Sequence, residues 1–224
     1  GGPFTPGDYG VSTRKGNTVY VHISDWTEDP LKLPAIPVKV LRSRLLGGGK
    51  AEVRQTAAGL EISVPEGDRR PLDTVVALEL DGAAIELAAV DVPPLVSLAA
   101  GANATASNVY QRMAEHGPDK AVDGRSDTRW ATDSGVKSAW LEVDLGRDVT
   151  FSRAAIAQAY PELRRVRKFA IEYLQGDRWI ACYRGENPGA KLNARFEPVS
   201  ARRVRLHITE STDGPTIWEF KLFK

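Results

Sequence analysis

Hydrophobic and polar residues alternate with a period of two over most of the chain, and turn residues cut the alternation into short runs. In NTVYVHIS, Val19, Val21 and Ile23 fall on one side and Thr18, Tyr20 and His22 on the other. GLEISVP groups Leu60, Ile62 and Val64, and TVVALEL groups Val76, Leu78 and Leu80 before an Asp81-Gly82 hairpin-type turn signal and a further run, AIELAAV. The pattern resumes in AWLEVDLG (Leu141, Val143, Leu145), RKFAIEYLQ (Phe169, Ile171, Tyr173) and RRVRLHIT (Val204, Leu206, Ile208). In the last run, TIWEFKLFK, Trp218, Phe220 and Leu222 are expected to share the buried face. Successive side chains of a strand point to opposite faces, so each run reads as a strand with one face on a core. No stretch holds a helical period over several turns. Many short strands punctuated by Gly, Pro and Asp predict an all-β chain built from antiparallel sandwiches or barrels.

The alternation breaks at VDVPPLVSLAAG. Pro93 and Pro94 lack the N–H that a sheet ladder needs and favour an extended spacer. This predicts one domain over residues 1–92 and a second over 93–224. The length agrees, because 224 residues at 42% hydrophobic suit two modest cores of roughly 100 to 150 residues each. Lys+Arg 30 against Asp+Glu 29 leaves a net charge of +1, and no basic block is interleaved with aromatics, so no nucleic-acid partner is expected. No membrane span is expected either, since runs such as TVVALEL fall far short of the roughly 20 apolar residues that one needs. The opening GGPFTPGDYG has neither the basic nor the apolar region of a secretory leader.

Cys182 is the only cysteine, which rules out an intrachain disulfide or a thiolate metal site and leaves it as a small buried apolar residue. His22, His116 and His207 are the only histidines, and none is spaced from another as zinc ligands are. His22 is expected to be structural. RRVRKF, which runs straight into a strand, is expected to solvate an edge. Any metal here would be bound by oxygen.

The segment AVDGRSDTRWAT, Ala121 to Thr132, concentrates oxygen ligands ahead of a large aromatic. Asp123-Gly124 alone is a turn signal, because Asp caps its own backbone and Gly accepts positive φ. With the Thr128 hydroxyl, flanking carbonyls and Glu219 of the last strand it could also supply the roughly 6 to 8 oxygens a hard cation takes. A carboxylate pair for glycoside cleavage, drawn from Asp119, Asp123 and Asp127, remains open at this point. Trp130 is expected to anchor the loop on the core.

The stretches ATASNVY, KAVDGRSDTRWAT, AWLEVDLG, VRKFAIEYLQGDRWI, ARRVRLHIT and PTIWEFKLF resemble the coagulation factor 5/8 type C domain, also called the discoidin domain or family 32 carbohydrate-binding module. The resemblance covers Leu95 to Lys224 and implies a galactose-binding-like jelly roll with a structural Ca2+ near one end. The implied ligands are the carbonyls of Lys120, Arg125 and Trp218, the side chains of Asp123 and Glu219, and Thr128. It also implies sugar binding in end loops, where Tyr110, His116, Tyr160 and Arg164 are the candidates.

GGPFTPGDYGVSTRKGNTVYVHISDW, LKLPAI, VRQTAAGLEISVP and RRPLDTVVALELDG resemble the carboxy-terminal β-sandwich of family 29 glycoside hydrolases, the retaining α-L-fucosidases. In that family the sandwich follows a barrel that carries the catalytic residues, so none of them is placed on this sequence. The expectation is a non-catalytic accessory region, no enzyme on its own, with two partners: the upstream barrel and a galactose- or fucose-terminated glycan. The implied address is secreted, periplasmic or extracellular, where millimolar calcium suits weak sites. The alternative is a structural or interaction module that binds no sugar.

Overall fold

The computed structural model describes all of residues 1–224. It is all-β, and its contacts divide it into two compact units, Gly1–Leu95 and Val96–Lys224. The segment leading to the division is tied to the amino-terminal strand region of the first unit. Phe4 bridges Val90 in parallel, Val92 N donates to Thr5 Oγ1 at 2.9 Å, and Leu95 N donates to Asp8 at 3.1 Å.

The first unit pairs two antiparallel sheets. One runs in the order β1 (Gly10–Lys15), β2 (Thr18–Ile23), β7 (Thr74–Leu80), β4 (Val40–Leu45); the other runs β3 (Leu31–Leu33), β6 (Gly59–Ser63), β5 (Glu52–Thr56). The alternating residues Val19, Val21, Ile23, Val76, Leu78 and Leu80 form one core with Leu31, Leu33, Leu60 and Ile62. The run AIELAAV, in contrast, does not follow the Asp-Gly signal as a strand. Asp81 instead accepts from Lys39 N at 2.9 Å, and Ala84–Glu86 coil into a 3-10 turn that buries Ala84. His22 donates to or accepts from Thr13 Oγ1 at 3.1 Å and sits 2.8 Å from Asp73, a polar cross-link on the outer face of its strand.

The second unit is a discoidin-like jelly roll. Its strands are β8 (Asn103–Ala106), β9 (Trp130–Ala131), β10 (Ala139–Gln158), β11 (Val166–Gln175), β12 (Arg178–Glu186), β13 (Lys191–Ser211) and β14 (Thr216–Phe223). The order is β12-β11-β13-β10-β14-β9, with β8 also on β10. β10 and β13 are long enough to serve both layers. Their register breaks between Asp144 and Val149, where Gly146 adopts φ +77. Leu141 and Val143 before the break and Ala154 and Ile156 after it all enter one core.

Trp130 is fully buried in that core, and its indole N–H donates to the Asn108 carbonyl at 2.9 Å. Cys182 is only half-buried against the core, and burial pushes its thiol up to about 11. In RRVRKF, Arg165 pairs with Asp213 at 3.6 Å and Lys168 with Glu210 at 2.9 Å. One expectation fails in β14. Phe220 and Leu222 are in the core but Trp218 is not, and Ile217 takes its place. The cause is a register shift, since Ala157 faces Glu219 while Gln158 faces Ile217. Trp218 is the extra residue of a bulge, and a bulge re-aims the side chains on either side of it.

Candidate functional site

One end of the second unit gathers most of the residues singled out above. The 3-10 turn Pro118–Ala121 carries Lys120 and packs on β14, and the loop from Asp123 to Thr128 follows. Gly124 sits at φ +77 with open space around it, so its requirement is conformational: an L side chain is disfavoured there. Asp123 turns inward, accepting from Arg125 N at 3.0 Å and from Thr128 Oγ1 at 2.9 and 2.8 Å. The carbonyls of Lys120 and Arg125 accept none of the loop's hydrogen bonds. Asp119 and Asp127 do not join Asp123, because they pair at the surface with Lys120 (2.8 Å) and Arg125 (2.9 Å). The three aspartates therefore do not converge as a catalytic set.

Glu219 completes the arrangement. The bulge at Trp218 leaves it buried at 7% exposure, and one of its carboxylate oxygens has no hydrogen-bond partner. Burial, with the nearby Asp123 charge, pushes its carboxyl up to about 7, against the lowering pull of Lys221 and the Gly124 and Arg125 N–H groups. Two carboxylates facing each other, one with an orphaned oxygen, beside two unused carbonyls, fit a hard cation. No group of three or more His, Cys, Asp or Glu side chains is present, so an ion here would take most of its oxygens from the backbone.

The sugar-binding candidates fall into two groups. Tyr110 and His116 meet edge-to-face with centroids 5.5 Å apart. Neither lines the groove of about 740 Å³ formed by their chain neighbours, whose walls include Asn108, Arg112, Asp119 and Asp133. Gln111 and Arg112 next to Tyr110 hold left-handed backbone at φ 47 and 56, and Asp133 fixes the turn by accepting from Gln111 N at 2.7 Å and Asn108 Nδ2 at 3.0 Å. That accounts for the lowered carboxyl of Asp133, whose acceptor bonds favour the charged form.

Tyr160 and Arg164 bracket the 3-10 turn Pro161–Leu163 and are themselves left-handed, at φ 54 and 46. Such conformations cost a non-glycine residue roughly 1–2 kcal/mol. Tyr160 is 41% exposed and lies 6.2 Å from the ring of Trp218. Sequence reasoning missed their third companion. The Arg129 guanidinium lies 5.5 Å from the Tyr160 centroid and 5.3 Å from that of Trp218, within cation–π range. Alternation held the clue: Trp130 points into the core, so its neighbour in an extended segment points away from it.

The second unit thus presents aromatic and cationic side chains beside an oxygen-lined turn on a β-sandwich. The chain belongs to the F5/8 type C domain family, whose profile matches residues 103–220. Among solved structures, a chitosan-binding module from the chitosanase/glucanase of Paenibacillus sp. IK-5 shares 27% identity over 57% of this chain and 98% of its own, with a TM-score of 0.52. The second chitosan-binding module of that enzyme, solved with chitotriose, shares 26% over 57% and 99%, at 0.51. A family 29 fucosidase of Ruminococcus gnavus, solved with fucose, shares 28% over 57% of this chain and 26% of its own, at 0.50. The chain thus spans about a quarter of that fucosidase. No curated protein matches the sequence. No helix is long and apolar enough to cross a membrane.

Proposed function

We propose that the chain is a non-catalytic accessory region of an α-L-fucosidase, in which the second unit binds glycan weakly and holds a structural calcium ion. The observation that carries the binding reading is the exposed Tyr160 beside Arg129 and Trp218 on the loop end. Sugar sites pair an aromatic face with a few placed polar groups; Arg164 extends that surface, and Tyr110 with His116 forms a second aromatic group. Likeness to the Ruminococcus gnavus fucosidase and to the chitosan-binding modules supports both halves of the reading. The fucosidase-like motifs of residues 1–92 support the first unit as the sandwich that follows a catalytic barrel.

The calcium ion would be held by the Lys120, Arg125 and Trp218 carbonyls, Asp123, Thr128 and Glu219. It would neutralise two facing carboxylates and clasp the loop to β14. The module would act by tethering: a weak second contact raises the local substrate concentration at the barrel without altering its chemistry. Such a role belongs to a secreted or periplasmic enzyme acting on galactose- or fucose-terminated glycans.

The test is titration of the chain with galactose- and fucose-terminated oligosaccharides. Binding in the range of about 0.1–1 mM is expected, weakened about tenfold by Tyr160→Ala and, less strongly, by Tyr110→Ala. No release of nitrophenol from a nitrophenyl fucoside is expected. Absence of binding to any sugar would favour a purely structural module, and fucoside turnover would overturn the non-catalytic reading.

A further inference from the structure

Arg129 is set up differently from the ion-paired arginines of its unit. Arg125, Arg165, Arg202, Arg203 and Arg205 each sit on a carboxylate. Arg129 forms no ion pair; its Nε is buried without a hydrogen-bond partner, and its guanidinium faces two aromatic rings. A buried unpaired donor costs about 1–3 kcal/mol, and an arginine held among aromatics is kept planar and partly dehydrated, ready for a forked contact. Its position is rigid, because Trp130, the next residue, is locked in the core and bonded to Asn108. Arg164, exposed on the same turn as Tyr160, adds a second cation with no carboxylate partner. Glu162 is the one acid of that turn and is exposed, while Glu219 lies against the Asp123 loop.

Building on the glycan reading above, we propose that this cluster selects an anionic glycan, one bearing a uronate carboxylate or a sulfate ester. Arg129 takes the acidic group, Tyr160 stacks on the sugar ring, and Arg164 adds long-range attraction. The same cations disfavour chitosan, a cationic polymer, despite the likeness to chitosan-binding modules. Ligand class here follows the charge of the loop end rather than the fold.

The experiment titrates the full chain with four probes: oligogalacturonate, a sulfated galactan oligosaccharide, the neutral galacto-oligosaccharide, and chitotriose. At low salt the acidic probes are expected to bind about tenfold or more tighter than the neutral one. That preference should shrink between about 50 and 500 mM salt, and chitotriose should bind weakest. Oligogalacturonate and the sulfated probe distinguish the two anion sources. Arg129→Met should erase the preference for acidic probes, and Arg164→Gln should lower it two- to threefold at low salt only. Should Arg129→Met fail to fold, the salt dependence and Arg164→Gln still decide. Equal binding of neutral and acidic probes overturns this proposal and leaves the glycan reading standing. Binding of none of the four overturns both.

Discussion

Stripping calcium with a chelator is expected to lower the unfolding midpoint of the second unit by roughly 10 °C, and Asp123→Ala is expected to abolish that response. The reason lies in Glu219, which is buried near the Asp123 charge with one carboxylate oxygen lacking a hydrogen-bond partner, and which Lys221 only partly offsets. An ion placed there binds only the folded loop, and a ligand at about 100 times its dissociation constant stabilises by about 2.7 kcal/mol. In a unit of this size that energy moves the midpoint by several degrees or more. Asp127→Ala is the control: Asp127 is exposed and pairs with Arg125, so its loss should leave the calcium response intact. Glu219→Gln keeps the shape, removes the second carboxylate and should also lose the response. A midpoint that ignores chelator, in protein shown by metal analysis to be calcium-free, would remove the ion from the proposed function.

Trp130→Ala should cost more. The side chain is fully buried, and truncating a large buried aromatic destabilises by about 3–5 kcal/mol. The Asn108 carbonyl also loses its indole partner, adding roughly 1 kcal/mol. The expected fall is roughly 15 °C in the second unit. Trp130→Phe separates the two contributions by keeping most of the volume and losing the N–H. Because Arg129 and Thr128 adjoin Trp130, the alanine variant should weaken calcium and sugar binding together, whereas Tyr160→Ala should touch sugar alone. A Trp130→Ala protein that melts within a few degrees of the parent would mean that the loop is held elsewhere.

The strands that alternate cleanly were legible because one face of each is a core and the other is solvent. Val19, Val21 and Ile23, or Leu141 and Val143, needed nothing more than their period. Two readings failed where local pattern met tertiary demand. AIELAAV alternates well enough to be a strand, but it pairs only at its end, through a single parallel bridge from Val90 to Phe4, and its start coils to bury Ala84. Trp218 has the parity of a core residue, yet a bulge opposite Ala157 and Gln158 displaces it. The same bulge sets Glu219 in place beside the Asp123 loop.

By itself the sequence determined the all-β class, the break near the paired prolines, and the oxygen-rich loop of aspartate, glycine and threonine ahead of an anchoring tryptophan. These are properties of neighbouring residues and of a period of two, which a chain carries wherever it folds. Only the tertiary structure decided which of the three aspartates faces Glu219, that Tyr110 meets His116 while Tyr160 meets Trp218, and that Arg129 stands between aromatics with no acid to answer it. Such pairings join segments tens of residues apart, and register, bulges and loop closure set them.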